Sequence, residues 1–90
     1  MIDLNPFLKE LIRIPGLSGY ETPIRQMLEE HWAPLTDELS ISRIGSLHGL
    51  KRGNLPEPRP SILLAAHMDT IGLMVTKVTG DFLRVTEVGG

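Results

Sequence analysis

A histidine and an aspartate two positions apart are the residues of this sequence best suited to chemistry. His67 and Asp69 follow directly on residues 62–66, which are five apolar residues in a row. A continuous apolar run of this length, opened by a proline, is typical of a strand buried on both faces. In extended chain, residues two apart point to the same side, so both side chains are expected to project together from the end of this strand, within hydrogen-bonding reach. An imidazole beside a carboxylate can bind a metal ion, or act as a base whose tautomer the carboxylate fixes.

The spacing of His67 and Asp69 alone leaves two interpretations open. A histidine that ends a strand can be an ordinary hydrogen-bonded residue, but ligands commonly bind beyond the carboxyl ends of strands in α/β sheets. His31, on a helix, and His48, beside a glycine, are interpreted as packed or surface residues. The sequence contains no glycine-rich phosphate loop and no serine nucleophile elbow. His67 and Asp69 are therefore the candidate site, with a purely structural pair as the alternative.

Two amphipathic helices are predicted before the candidate site. Asn5 and Pro6 are typical of an N-cap and a first-turn proline, and Pro15 ends this first helix. The second helix is predicted to begin at Thr22 and to end at Pro34. The apolar residues of the first helix recur with helical spacing, at Leu4, Leu8, Leu11 and Ile12.

A β-rich stretch follows the helices, interrupted by a surface loop over 53–60 that holds three prolines. Alternating or β-branched runs bounded by glycines indicate the strands. Strands are predicted over 38–42, 47–51, 61–66, 71–79 and 82–87, the last two joined as a hairpin at Gly80 and Asp81. The fold class is therefore α/β, with two helices followed by four or five strands of a mixed sheet.

The composition limits the classes of function. The chain has 90 residues, a formal net charge of -2 and no cysteine, so disulfides and thiolate metal sites are excluded. The longest basic cluster is Lys51 and Arg52, which argues against a nucleic-acid partner. No stretch has the length of a membrane span, and the first ten residues lack the basic and apolar regions of a signal peptide. These features predict a cytoplasmic protein without a membrane partner.

Several segments, in order and in spacing, resemble the N-terminal part of the tetrahedral and glutamyl aminopeptidase family of dinuclear metallopeptidases. Some members of that family carry the labels deblocking aminopeptidase or endoglucanase. The segments are PGLSGYE at 15–21, IG at 44–45, AAHMDTIGLMV at 65–75, FLRV at 82–85 and VGG at 88–90. The stretch from His67 to Val75 is the most specific part of the resemblance.

The resemblance implies that His67 is a ligand to one of two divalent ions, zinc or cobalt, and that Asp69 is the catalytic-site carboxylate that orients its imidazole. The substrate would be a peptide, and the intact enzyme would be a homo-oligomer. Residues 1–90 would then be the N-terminal portion of the catalytic domain. The family's other acidic ligands, its glutamate base, its second histidine and an inserted oligomerisation domain would lie in a C-terminal remainder.

The sequence departs from the family pattern at two places. Thr70 stands where many members carry an acidic residue or glutamine. Ser42 and Ser46 stand where aspartate and asparagine are common. Neither departure affects the metal ligand itself.

Two other classes of function stay open. In the first, the chain is a non-enzymatic interaction module or an inactive fragment in which His67 and Asp69 are structural. The second, a glycan hydrolase, is suggested by the endoglucanase label, but it needs a pair of carboxylates at a defined separation that the sequence does not indicate. In either the enzyme or the fragment interpretation, the 90 residues alone are expected to lack peptidase activity and to expose apolar side chains around residues 61–66.

Overall fold

Six helices and strands, with one short 3₁₀ turn, follow one another along the described part of the chain. A computed structural model describes residues 2–89; Met1 and Gly90, which belong to the predicted unit 1–90 and to the 88–90 segment, lie outside the described residues. Among residues 2–89 the strands form two separate antiparallel pairs, β1–β2 and β3–β4. The predicted α/β class, with helices first, is confirmed. The elements are α1 (Asn5–Leu11), α2 (Thr22–Trp32), β1 (Glu38–Ile41), β2 (Leu47–Leu50), β3 (Gly72–Thr79) and β4 (Phe82–Val88).

The start of α1 differs from the prediction. Leu4, not Asn5, occupies the N-cap position, and no side chain caps the helix there. Asn5 lies inside the first turn, where its backbone N–H donates to Asp3 Oδ1 at 3.0 Å. The carboxylate of Asp3 thus accepts a free first-turn N–H in place of an Asn5 side-chain cap. The first-turn proline, Pro6, is where the sequence predicts it.

Helix α2 lies against the loop that precedes it through Ile24, beside Gly16, and against β2 through Trp32, beside Gly49. Ile24 is the one buried hydrophobic side chain among the described residues, at 6% exposure. At its far end the helix tightens into the 3₁₀ turn Ala33–Leu35, which contains Pro34. His31 contacts Phe7 of α1 with ring centroids 4.5 Å apart, and its Nδ1–H donates to the Met27 carbonyl at 2.9 Å. His31 therefore has a packing role, as the sequence suggests.

The β1–β2 sheet is closed at both ends by polar contacts. At the turn, Ser42 accepts the Ser46 N–H with its hydroxyl oxygen at 3.1 Å. At the open end, Asp37 Oδ2 accepts the backbone N–H of Arg52, whose guanidinium also pairs with Glu38. The two serines that depart from the family pattern are thus turn-forming residues in this chain.

The β3–β4 hairpin turns at Gly80 and Asp81, as predicted. Gly80 has a φ of 58° and Asp81 does not have a positive φ, the pattern of a type II′ turn. The register shifts between Val75 and Lys77, so that Thr76 is an extra residue in β3. Because Val75 faces Val85 and Val78 faces Leu83, this bulge brings apolar residues of both strands onto one side. That apolar face consists of Leu73, Val75, Val78, Leu83 and Val85, all of them exposed.

The predicted strand 61–66 is wrong for this chain. These residues form no ladder with any described residue, and Ile62, Leu63 and Leu64 are 88%, 91% and 89% exposed. A β-strand forms only when an adjacent strand pairs with its backbone N–H and C=O groups. The apolar pattern of a segment does not indicate whether such an adjacent strand is present. The radius of gyration is 17.7 Å, against about 12 Å for a compact domain of this length. The expectation of exposed apolar side chains here is confirmed.

Within residues 2–89, every helix is too short or too polar to cross a lipid bilayer.

The exposed run 62–64 is expected to make the chain associate with itself. Contiguous apolar side chains beside unpaired backbone recruit other chains. Leu63→Glu should lower the sedimentation coefficient and the binding of a hydrophobic dye. The control is Ile2→Glu, which removes a side chain that is 84% exposed at the N-terminus. A wild-type chain that sediments as a single monomer and binds no dye would contradict this expectation.

The Asp37–Arg52 contact predicts an acid sensitivity of the β1–β2 sheet. The backbone N–H of Arg52 holds the pKa of the Asp37 carboxyl below its ordinary value of 3.8. Because the folded pKa is the lower one, this contact stabilises the sheet above the ordinary pKa, and the stabilisation is lost as the pH falls through the folded pKa. An NMR titration of Asp37 should give a lower midpoint in buffer than in urea. Equal midpoints would show that the contact does not persist in solution.

Candidate functional site

His67 and Asp69 lie side by side, as the sequence predicts, although no strand precedes them. His67 Nδ1 is 3.1 Å from Asp69 Oδ1 and 3.0 Å from the Asp69 carbonyl oxygen. Both oxygens are acceptors, so the proton must sit on Nδ1, which donates to them. The Nε2 lone pair is then left without a proton in the neutral ring. The His67 side chain is 86% exposed, so Nε2 is open to a ligand.

The backbone that carries this pair is attached to the loop between α1 and α2. Thr70 donates its N–H to the Gly16 carbonyl at 2.7 Å and its hydroxyl to the same oxygen at 3.2 Å. Leu17 and Thr70 form an isolated parallel bridge. The next residues continue into β3. The site is therefore anchored on its C-terminal side by residues far away in sequence.

Gly16 lies against both α2 and the His67 segment. A Cβ placed on Gly16 would lie 3.4 Å from Ile24 Cγ2 and 3.6 Å from the Met68 carbonyl oxygen. Ile24 is 6% exposed and belongs to α2. The loop, the second helix and the His67 segment thus meet at Gly16, which is itself buried.

The rest of the loop is held by Glu21 at the N-cap of α2. Gly19 has a φ of 88°, a left-handed conformation that favours glycine, and its N–H donates to Glu21 Oε1 at 2.8 Å. This arrangement accounts physically for the SGYE part of the motif at 18–21. The glycine allows the turn, and the glutamate closes it.

An open groove of about 720 Å³ runs between the His67 segment on one side and β2 with α2 on the other. Glu21, Trp32 and His48 line it together with His67 and Asp69, and most of the remaining wall is apolar. His48, interpreted from sequence as a packed or surface residue, is an exposed residue of this groove. Among residues 2–89 no three His, Cys, Asp or Glu side chains come together as a metal site. The described chain therefore supplies one histidine–carboxylate pair and an adjoining groove.

Comparison with known proteins identifies the chain. The family model for M42 glutamyl aminopeptidase matches residues 45–90, which include His67 and Asp69. This chain belongs to the M42 glutamyl aminopeptidase family. The resemblance recognised from the sequence is confirmed.

Relatives in the M42 family match this chain along nearly its whole length. The lysyl aminopeptidase of Pyrococcus furiosus is 38% identical over 100% of the chain, and the glutamyl aminopeptidase of Lactococcus lactis is 33% identical over 99%. A solved structure of an endoglucanase from Thermotoga maritima superposes with a TM-score of 0.81 at 37% identity over 92% of the chain. In each case the match spans about a quarter of the relative, 25%, 25% and 26% respectively.

Two residues beside the candidate site make a contact that the sequence pattern does not predict. Thr70, next to Asp69, donates to the Gly16 carbonyl, yet the sequence marks Thr70 only as a departure from the family pattern. Its two bonds to Gly16 span 54 positions, and no local periodicity reports such a contact. The sequence signal that could have directed attention to Gly16 is its place within the family motif at 15–21.

Gly72 is expected to be sensitive to substitution because it lies against the loop. A Cβ on Gly72 would clash with Leu17 Cδ2, so Gly72→Ala should displace Leu17 and loosen its bridge to Thr70. The amide of Thr70 should then exchange with deuterium several-fold faster. Gly53→Ala is the matched control, since nothing lies within 4 Å of its Cβ position. Equal exchange rates in the two variants would show that the Leu17 contact does not support the site.

Proposed function

We propose that this chain is part of a cytoplasmic, metal-dependent aminopeptidase that removes N-terminal residues from peptides. One observation carries the proposal: in a member of the M42 family, His67 presents an open Nε2 while Asp69 holds its Nδ1 proton. A metal-binding histidine usually has this arrangement, with its second ring nitrogen donating to a carboxylate or carbonyl. His67 donates to both kinds of acceptor on the same residue.

The donor set of the pair suits a divalent ion. The imidazole of His67 is the most common type of transition-metal ligand, and both zinc and cobalt accept it. Two such ions, when bound, supply a water activated for attack and polarise the scissile carbonyl of the peptide. His67 would hold one of these ions. Asp69 sets the tautomer and makes the imidazole a stronger electron donor, which is its role in catalysis.

The remaining ligands must come from residues that this chain does not contain. A catalytic zinc normally has about three protein ligands, and among residues 2–89 no three His, Cys, Asp or Glu side chains come together. The chain spans about a quarter of its curated relatives. We propose that residues 1–90 form the N-terminal portion of a catalytic domain, completed by a C-terminal remainder with an inserted oligomerisation domain, in a homo-oligomer. The exposed side chains of residues 62–64 would pack against that remainder.

A glycan hydrolase is the second candidate, because the Thermotoga maritima relative is described as an endoglucanase. The histidine–carboxylate pair favours the peptidase. Glycosidases use two carboxyl groups that flank the scissile bond, whereas the paired partner of Asp69 is an imidazole. Hydrolysis of a soluble cellulose derivative, measured beside hydrolysis of an aminoacyl-p-nitroanilide, separates the two activities.

The proposal predicts a hierarchy among three histidine variants, made in the full reading frame that contains these residues. His67→Ala should lower kcat/KM for an aminoacyl-p-nitroanilide on the order of a hundredfold or more, because a metal ligand is lost. His48→Ala is the matched control in the same groove, and His31→Ala is the control for packing. These two should cost only stability, on the order of 1 kcal/mol.

The 90-residue chain, assayed alone with added zinc or cobalt, should show no turnover. Similar losses in all three histidine variants would reject His67 as a ligand. Absence of aminopeptidase activity from the full reading frame, with either metal, would reject the proposed function and favour a non-enzymatic interaction module.

A further inference from the structure

We propose that Thr70 is a positioning residue that holds His67 in the tautomer with an open Nε2. Thr70 does this by anchoring the peptide group between residues 69 and 70 to Gly16. The inference rests on the proposed function for its catalytic meaning, but its geometry and its test involve neither metal nor substrate.

The peptide group between residues 69 and 70 is a rigid plane. The carbonyl of Asp69 and the N–H of Thr70 belong to the same planar unit and point in opposite directions. The N–H is directed at the Gly16 carbonyl, at 2.7 Å. The opposite end of the same plane then presents the Asp69 carbonyl oxygen to His67 Nδ1, at 3.0 Å. Fixing one end of this peptide group therefore fixes the acceptor at its other end.

The hydroxyl of Thr70 strengthens the anchor. Oγ1 donates to the same Gly16 oxygen at 3.2 Å, so one carbonyl receives both donors of the residue. This contact is partly buried, whereas the hydrogen bonds of His67 are exposed to water. Gly16 is itself buried and lies against Ile24. A continuous set of contacts thus extends from α2 through Gly16 to the peptide group beside the imidazole.

The anchor at Gly16 affects the His67 imidazole, which is otherwise exposed to water. Asp69 Oδ1 also accepts from His67 Nδ1, but its side chain is 38% exposed and can rotate to meet water instead. The two bonds from Thr70 to Gly16 together restrict the rotation of the backbone carbonyl. Without that anchor, the carbonyl can rotate away and the proton can move to Nε2, the nitrogen that the proposed function requires to be free.

The test compares Thr70→Val with Thr70→Ser in the 90-residue chain labelled with ¹⁵N-histidine. Ring nitrogen shifts, measured in mildly alkaline buffer where imidazole is neutral, give the ratio of Nδ1–H to Nε2–H tautomers of His67. Thr70→Val removes the hydroxyl bond to Gly16 and keeps the backbone N–H bond, so it weakens the anchor without abolishing it. The ratio should therefore fall, by at most about fivefold, which is the equivalent of one hydrogen bond. Thr70→Ser keeps the donor and should match the wild type.

Thr76→Val is the matched control. Its hydroxyl also donates to a backbone carbonyl, that of Arg84, at 3.2 Å, but in the β3–β4 hairpin. It should leave the His67 ratio unchanged. An unchanged ratio in Thr70→Val, or an equal drop in Thr76→Val, overturns the inference. If Thr70→Val does not fold, the wild type decides: a Thr70 amide that exchanges at the rate of an unprotected amide also overturns it.

These outcomes are separate from those of the proposed function. If the tautomer ratio falls in Thr70→Val while the full reading frame has no aminopeptidase activity, the positioning role is retained and the proposed function is rejected. If the ratio is unchanged in Thr70→Val while the full reading frame is active and its kcat/KM depends on His67, the positioning role is rejected and the proposed function is retained.

Discussion

The hydrogen bonds from Thr70 to the carbonyl of Gly16 are the interaction on which the rest of this structure depends. They join residues 54 positions apart in a chain whose sheets are otherwise closed by short-range turns. On one side of the contact lies Ile24, the buried residue of α2. On the other side lies the peptide group that faces His67. Without this contact, the His67 segment and the β3–β4 hairpin would lose their hydrogen bonds to the loop before α2.

The features that the sequence predicts correctly are those whose causes are local. Helical spacing and first-turn prolines locate both helices, and the runs on either side of Gly80 locate the hairpin. The His67–Asp69 pair is also local, because residues two apart meet through their own backbone and side chains. The pair therefore forms even though the strand that was expected to present it does not.

The features that the sequence does not predict depend on residues that are distant in sequence, which a local pattern does not include. The apolar run at 62–66 indicates that the segment is suited to a buried position between other elements. Residues 2–89 do not cover it, so its side chains are exposed. The extra residue Thr76 in β3 is visible only once the strands are paired, since it depends on which residues of β4 lie opposite. Gly16 and Thr70 are each unremarkable alone. Their role depends on the hydrogen bonds between them, which span 54 positions and which no spacing rule predicts.

The ends of the β3–β4 hairpin have a further consequence for how this chain tolerates change. Gly72 pairs with Val88, so the chain leaves and returns at neighbouring backbone positions, roughly 5 Å apart. The hairpin is therefore attached to the preceding chain at Gly72, two residues beyond Thr70. Protein segments of this kind can be lengthened, exchanged or grafted without moving what comes before them, because both ends of the replacement meet the same short gap. The turn of the hairpin, at Gly80 and Asp81, is thus free to diversify, while the residues around His67 keep their place.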